Sequence, residues 1–391
     1  MIRILFVDDD ANVLRALKRS LHGMRAAWDM EFVASGAAAL QALAQRSADA
    51  VISDMRMPDM DGWQLLTEVK SRHPQAVRIM LSGQSDPASV LRAVGAAHQF
   101  LDKPCDSGAI QQAIARAQGT KRLLTDERLV GLVGRVGLLP PAPRTFQQLL
   151  GCLQRPDHSL TEVAQIIEGD VAMTANILKL VNSPFFGSRQ PITSIERAVN
   201  YLGTDTIGSL VLGHGVFDSE ATDRVASLDH ARMWRHGLQV AVAARVICLH
   251  DKLPKAQVEE AFLAAQLHDI GKMVLSDVPA DSLLCHDPAD HGPLANLDQH
   301  AQVGAYLLSL WAFPTSIVEA VAYHHDPSAA MYEIGPLAKI INIANRYTHH
   351  RSEHPNDEFE LLPEQDPRMA GWIVALDGLD FNQTPAIAAA S

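Results

Sequence analysis

The sequence predicts two folded units: an α/β domain on a doubly wound, five-stranded parallel sheet, then an all-helical domain. Three observations carry this. Short apolar runs alternate with amphipathic helical stretches up to about residue 121, after which helical patterning takes over. Charge shifts at the same place. Residues 1–121 hold fourteen Lys and Arg against thirteen Asp and Glu, residues 122–350 seventeen against twenty-four, and residues 351–391 two against eight. Histidine shifts too, with three before residue 121 and fourteen after.

A chain of 391 residues is long enough for two or three domains with cores of their own. Apolar residues make up 47% and charged residues 20%, which excludes wholesale disorder and a fibrous protein. A net charge of −12 without a long basic run argues against a chain that grips nucleic-acid phosphates. The N-terminus reaches Asp8 too soon for a secretory leader, and no run of about eighteen apolar residues offers a membrane span. The expectation is a cytoplasmic protein with no membrane contact. Cys105, Cys152, Cys248 and Cys285 lie far apart without a paired spacing, so neither a zinc knuckle nor a disulfide framework is expected.

Five apolar runs have strand character: Ile2–Val7, Glu31–Ala34, Ala50–Ser53, Val77–Leu81 and Gln99–Leu101. Helical patterns lie between them, on Val13, Leu14, Leu17 and Leu21, then Ala38–Leu43, Leu65–Val69 and Val90–Val94. This alternation implies right-handed βαβ units with helices on both sheet faces. Ligands of such sheets sit at the carboxyl ends of the strands. The polar residues there are Asp8 and Asp9, Asp54, Ser82 and Lys103. One aspartate after a strand is usually a helix cap. Three that converge repel by several kcal/mol at low dielectric and need a cation among them. Hard oxygen donors favour Mg²⁺, and a carboxylate beside it can attack a phosphoryl group. Ser82 could then contact one phosphoryl oxygen and Lys103 another.

The motifs Val7-Asp8-Asp9, Ser53-Asp54-Met55-Arg56-Met57-Pro58, Leu81-Ser82-Gly83 and Phe100-Leu101-Asp102-Lys103-Pro104 resemble the receiver domain of two-component response regulators across residues 1–121. The resemblance implies a flavodoxin-like fold with Asp54 as phosphoacceptor. It implies Mg²⁺ held by Asp8, Asp9, Asp54 and the Arg56 carbonyl, Ser82 and Phe100 as a switch pair, and a cis peptide at Lys103-Pro104. The implied partner is a sensor histidine kinase.

A helical connector is expected around Ile110–Leu132, with residues 122–135 joining the units. Leu138-Leu139-Pro140-Pro141-Ala142-Pro143 then punctuates the chain. Amphipathic patterns follow at Phe146–Leu153, Leu160–Ile167, Met173–Val181, Ser194–Leu202 and Leu210–Phe217, with a long run from Ala231 to Leu249. Chemistry candidates are His236, His268, Asp269, Lys272, His300, His324 and His325. A single buried histidine is more often a core residue satisfied by its neighbours. Imidazoles and a carboxylate drawn from several helices can instead enclose Fe, Mn, Zn or Ni and activate water.

Residues 136–350, with Leu139–Pro143, Glu168-Gly169-Asp170, Leu180-Val181-Asn182-Ser183-Pro184, Leu267-His268-Asp269-Ile270-Gly271-Lys272 and Tyr323-His324-His325-Asp326-Pro327, resemble the HDOD domain. That family is related to the HD hydrolases. The resemblance implies a signalling or scaffolding output, since most HDOD domains lack complete metal ligation. Here His236, His268, Asp269, His300, His324 and His325 follow the order of the HD-GYP phosphodiesterase pattern, which would leave Lys272 to contact phosphate. Two departures stand out: Asn345 in Ala344-Asn345-Arg346 replaces the final metal-binding aspartate, and no Gly-Tyr-Pro segment follows His325.

Residues 351–391 are acidic, with one helical stretch at Met369–Leu379 whose Trp372, Ile373 and Leu376 are expected to dock on the bundle. The reading that follows is a response regulator phosphorylated on Asp54, with an HDOD output that meets a downstream protein partner; a homodimer is compatible with it. The alternative is a receiver-gated, metal-dependent phosphohydrolase acting on a nucleotide second messenger. A DNA-binding output is disfavoured by the acidic helical unit and the lack of a basic recognition helix.

Overall fold

The computed structural model describes residues 1–83, 93–124, 126–139, 143–155, 157–183, 186, 190–204, 206–207, 230–276, 295–330, 334–353, 368–377 and 379. Strands β1 (Ile2–Val7), β2 (Trp28–Val33), β3 (Ala50–Asp54), β4 (Val77–Ser82) and β5 (Gln99–Asp102) form one parallel sheet in the order β2-β1-β3-β4-β5. β1, β3 and β4 are almost wholly buried apolar runs, as a sheet covered on both faces requires. The strand order reverses between β1 and β3, so a crevice opens there, at the ends carrying Asp8 and Asp54.

The second strand begins three residues before its expected start. Trp28 and Asp29 pair with Ile2 and Arg3. This edge strand alternates, and its charged side chains bind neighbours rather than water alone. Arg3 meets Glu31 at 2.5 Å and Arg46 meets Asp29 at 2.7 Å. The polar alternation hid the strand from a search for apolar runs.

Helices α1 (Ala11–Ser20), α2 (Gly36–Gln45), α3 (Gly62–Arg72) and α4 (Ser107–Lys121) flank the sheet. Each of the first three has a side-chain N-cap, from Asp10, Ser35 and Asp61, the last within a capping box with Gln64. The expected helix at Val90–Val94 lies mostly outside the described residues; Ala93 and Val94 are helical and lead into a turn at Gly95–Ala96. The connector is interrupted. α4 ends at Lys121, and α5 (Glu127–Arg135) starts anew behind an Asp126 cap. It is welded to the receiver side, since a Cβ on Gly134 would lie 1.8 Å from the Pro74 carbonyl oxygen.

The helical part comprises α6 (Pro143–Leu153), α7 (Leu160–Glu168), α8 (Val171–Val181), α9 (Ile195–Leu202), α10 (His230–His250), α11 (Lys255–Leu267), α12 (Ile270–Ser276), α13 (Ala295–Leu310), α14 (Thr315–Ala322), α15 (Pro336–Glu353) and α16 (Met369–Asp377). Every residue of α8 is buried, which makes it the central helix of this layer. Two asparagines, one within the helix and one at its C-cap, hold loops to it. Asn176 bonds both backbone groups of Leu139, and Asn182 bonds both of Ile192. The expected pattern at Leu210–Phe217 lies outside the described residues. α10 packs along α11 and α15 and receives the C-terminal α16, where Trp372 and Leu376 are buried and the Trp372 Nε1 donates to Asp251 at 2.8 Å. Ile373 is only partly covered.

Burial lifts Glu168, at the end of α7, from 4.5 to about 7, with Arg245 nearby working the other way. Between these two values the folded chain holds a proton that the unfolded chain has released. Stability therefore falls as pH rises from 4.5 through about 7, and levels off above. Glu168→Gln should flatten that decline, read as the difference in urea midpoint between about pH 5 and pH 8. An unchanged difference would exclude Glu168 as its source.

Candidate functional site

Two clusters of titratable groups stand out, one in each half of the chain. At the sheet's carboxyl edge, Asp8, Asp9 and Asp54 bring carboxylate oxygens within 4.8 Å of one another. Lys103 reaches across from β5, its Nζ 2.6 Å from Asp8 Oδ2 and 2.6 Å from Asp54 Oδ1. Burial raises Asp54 above the ordinary carboxylate value, with Asp8 adding to the rise while Lys103 opposes it. Burial also works against the Lys103 ammonium, but the two acids outweigh it and lift Lys103 above its usual value. The Arg56 amide donates to Asp54 Oδ2 at 3.2 Å. Asp10, by contrast, caps α1 through Asn12.

The backbone fits tightly round this point. A Cβ on Gly62 would lie 2.1 Å from the Asp54 carbonyl oxygen, so only glycine lets α3 start there. Ser82 is buried at the end of β4, its hydroxyl 3.1 Å from the Gly83 carbonyl. Phe100 sits opposite Met80, one strand across, and is buried. The Lys103-Pro104 peptide is cis. The hard oxygen donors of Asp8, Asp9 and Asp54 suit Mg²⁺.

The second cluster is assembled from five helices. His236 comes from α10, His268 and Asp269 from the α11–α12 junction, His300 from α13, and His324 and His325 from the end of α14. α15 closes it with Asn342 and Asn345. Two glycines make the approach possible: a Cβ on Gly271 would lie 2.0 Å from the His300 carbonyl oxygen, and Gly304 packs onto Gly271. All six expected ligands meet here, as two triads whose donor atoms lie within 4.8 Å of one another, His236-His268-Asp269 and His300-His324-His325. Asp269 joins them, its Oδ1 3.0 Å from His300 Nε2 and 3.9 Å from His324 Nε2. Lys272 is ion-paired with Asp269 Oδ2 at 2.6 Å.

Tautomers decide what this arrangement can do. His268 Nδ1 lies 2.6 Å from the Ala265 carbonyl, and His324 Nδ1 lies 2.8 Å from the Val321 carbonyl. A carbonyl only accepts, so both Nδ1 atoms carry hydrogen. Burial pushes both rings below the usual histidine value and keeps them neutral, leaving both Nε2 atoms as bare lone pairs. They face the Asp269 carboxylate at 3.4 and 3.9 Å, and His268 Nε2 is buried without a hydrogen-bond partner. His300 Nε2 adds a third nitrogen, 3.4 Å from that of His324 and 3.2 Å from that of His325. The bare Nε2 lone pairs of His268 and His324 face an acid, a repulsion that a cation between them would relieve. Nitrogen donors with one carboxylate fit Fe, Mn, Zn or Ni, and Nδ1–carbonyl bonds are the usual orienting contacts of ligating histidines.

Asn345 bears on this set directly. Its Oδ1 lies 2.9 Å from His236 Nε2. One turn on, His349 brings its ring centroid within 4.4 Å of the His236 ring, at the rim. The spacing of four between Asn345 and His349 on one helix was the signal that would have added His349 to the expected set. Asn342 fixes the histidine pair by donating to the carbonyls of His324 and His325.

The response regulator receiver domain family matches residues 4–115, and the HDOD domain family matches residues 139–327. The DNA-binding transcriptional regulator NtrC of Klebsiella pneumoniae is 38% identical over 238 residues, covering 58% of this chain and 48% of that protein. An uncharacterised protein of Treponema pallidum is 25% identical over 232 residues, covering 56% of this chain and 44% of that protein. The chain thus spans about half the length of the curated relatives it matches. Among solved structures, the MmoQ response regulator of Methylococcus capsulatus is 25% identical and covers 62% of this chain and 98% of its own, with a TM-score of 0.49.

A metal test follows from the converging lone pairs. The purified chain, incubated with Mn²⁺, Fe²⁺, Zn²⁺ or Ni²⁺ and desalted, is expected to retain one of these metals in elemental analysis, and His268→Ala to lose it. Asn345→Asp, which adds a charged donor, should tighten retention at least about tenfold. A native chain that retains no added metal rules the site out. The chain joins a response regulator receiver domain at residues 4–115 to an HDOD domain at residues 139–327.

Proposed function

We propose that this chain is phosphorylated on Asp54 by a sensor histidine kinase and that its HDOD half conveys the change to a downstream protein partner. The observation that carries the reading is the single Lys103 ammonium bridging Asp8 and Asp54 at 2.6 Å each. Asp8, Asp9, Asp54 and the Arg56 carbonyl would hold Mg²⁺, which when bound neutralises phosphoryl oxygens. An Asp54 carboxylate oxygen attacks phosphorus as the bond to the donor's leaving atom breaks. Lys103, already in contact with Asp54, turns its ammonium to a phosphoryl oxygen, and the Ser82 hydroxyl exchanges its bond to the Gly83 carbonyl for another. That exchange draws the end of β4 toward Asp54. The output half then responds by packing, with no chemistry of its own required.

A second reading rests on the bare imidazole nitrogens. A transition metal held by His236, His268, Asp269, His300, His324 and His325 would activate water, making the HDOD half a phosphohydrolase of a nucleotide second messenger. Lys272 would have to exchange Asp269 for substrate phosphate. Asn345 and the absence of a Gly-Tyr-Pro segment weigh against a cyclic dinucleotide in particular.

Incubation with acetyl phosphate and Mg²⁺ should add one phosphoryl group to the intact mass. Asp54→Asn should abolish the addition with an unchanged far-ultraviolet spectrum, and Lys103→Met should slow it by roughly 10²-fold. His268→Ala should label like the native chain. Undiminished labelling of Asp54→Asn refutes the assignment.

A further inference from the structure

The two halves meet along a seam that contains an arrangement of cations unexplained by either site. Lys179 lies on α8 with 5% exposure, and its ammonium donates to the Val94 carbonyl at 2.9 Å and to the Gly137 carbonyl at 2.8 Å. The next carbonyl along the receiver chain, that of Gly95, accepts from Lys70 Nζ at 2.9 Å. The next again, that of Ala96, accepts from Arg78 Nε at 2.7 Å, while Arg78 Nη2 reaches the Gly134 carbonyl of α5 at 2.6 Å. Three successive carbonyls, at a helix-like turn, are thus held by three cations from α8, α3 and β4. Among the described residues no ion pair joins any of the three to a carboxylate.

Such a row is a receptor for an ammonium group. The final carbonyls of a helical turn carry partial negative charge and lack helical partners. The Trp311 ring adds an aromatic face 4.7 Å from Lys179 Nζ. Burying a cation costs several kcal/mol, and here only dipoles and a ring offset that cost; burial and the adjoining Lys70 and Arg78 charges accordingly push Lys179 well below the usual lysine value. The arrangement holds while the carbonyls stay where they are, and a displacement strands a buried donor without its acceptors. The seam has no slack, since a Cβ on Gly137 would lie 2.2 Å from the Gly95 carbonyl oxygen and 2.7 Å from Lys70 Nζ. Beside this point, Ser309 of α13 donates to the Arg116 carbonyl and accepts from Thr120, neutral contacts that glide more readily.

We propose that the carbonyl row Val94–Ala96 is an ammonium-docking site of the receiver, that its occupant is Lys179 of the same chain, and that this contact latches the HDOD half to the receiver. The row runs directly into β5, which pairs with β4 up to Ser82 opposite Asp102, so a phosphoryl group that draws Ser82 inward pulls the row from Lys179 through β5 and opens the seam. That last step rests on phosphorylation of Asp54; the latch itself does not.

Hydrogen exchange on the full chain tests both parts. In Lys179→Met, whose side chain has similar length and no charge, amides of 93–98, 134–139 and 306–311 are expected to exchange at least tenfold faster than in the native chain, with β1 and β3 unchanged. A seam that is mere packing gives the opposite result, because an apolar replacement for a buried charge leaves packing as tight or tighter. Unchanged protection at those segments overturns the latch. Should Lys179→Met fail to fold, Lys179→Gln, whose shorter uncharged amide still carries donor hydrogens, is expected to give a smaller increase at the same segments, and no increase overturns the proposal equally. The second arm repeats the measurement after acetyl phosphate and Mg²⁺, with labelling read by intact mass in the same sample. Labelled native chain should show the same acceleration, and labelled Lys179→Met no further change. Labelled native chain with a protected seam overturns release by phosphorylation. A native chain that takes no label refutes the Asp54 reading, and the latch is then decided by the unlabelled comparison alone.

Discussion

The bridge from Lys103 to Asp8 and Asp54 is the contact on which the receiver's geometry depends. Two acids at the carboxyl edge of a buried sheet would drive each other apart or take up protons. One ammonium at 2.6 Å from both removes the conflict and ties β5 to β1 and β3 across the crevice. The surrounding backbone is built to keep that spacing. Gly62 admits the start of α3 against the Asp54 carbonyl, and the Asp61–Gln64 capping box sets where the helix begins. A site with its own cation is stable before any ligand arrives, and a ligand that displaces Lys103 must replace its contacts to both acids.

The helical half solves the converse problem in a different way. Its cluster is rich in donors and poor in cations, with Lys272 at the rim as the nearest fixed positive charge. Neutral imidazoles avoid the cost of burying more charge, but they leave lone pairs pointing at the Asp269 carboxylate. The carbonyls of Ala265 and Val321 enforce this by claiming the Nδ1 hydrogens, so the rings cannot flip to relieve the clash. Asn342 and the Gly271–Gly304 contact preserve the spacing from behind. A core selected for packing alone would show satisfied nitrogens. Here His268 Nε2 is buried without a hydrogen-bond partner.

Much of this was legible in the residues, for a local reason. Strand ends in a parallel sheet are marked by the first polar residue after an apolar run, so Asp8 after Val7, Asp54 after Ser53 and Ser82 after Leu81 name the site directly. The histidines were legible as an ordered set, though not as two triads, because their convergence depends on helix packing permitted by Gly271 and Gly304. His349 needed only the one-turn spacing from Asn345. β2 was truncated because a half-exposed edge strand carries charges on alternate positions. Lys179 was illegible in principle: flanked by Leu178 and Leu180 in a helix buried all round, it has its partner 85 residues earlier in the chain. Periodicity can say that such a residue is inside, but not what it touches.

The three sites obey one rule, that each buried charge or lone pair needs a counterpart, and they differ in how that counterpart is supplied. The receiver supplies a side-chain cation, the seam supplies backbone carbonyls, and the histidine cluster presents donors that suit a metal ion. This ordering says how signals can pass. A side-chain cation can change partners by rotating, so Lys103 can answer a new phosphoryl group within the receiver. Carbonyls cannot rotate independently of the chain, so Lys179 reports movement of the backbone itself. The α8 helix that carries Lys179 is buried along its whole length and reaches toward α11, the helix ending at His268. Under the proposed latch, a shift at the seam would reach the histidine cluster through the packing of α8 on α11. On that proposal regulation becomes a question of backbone position, which the buried lysine converts into a free-energy difference.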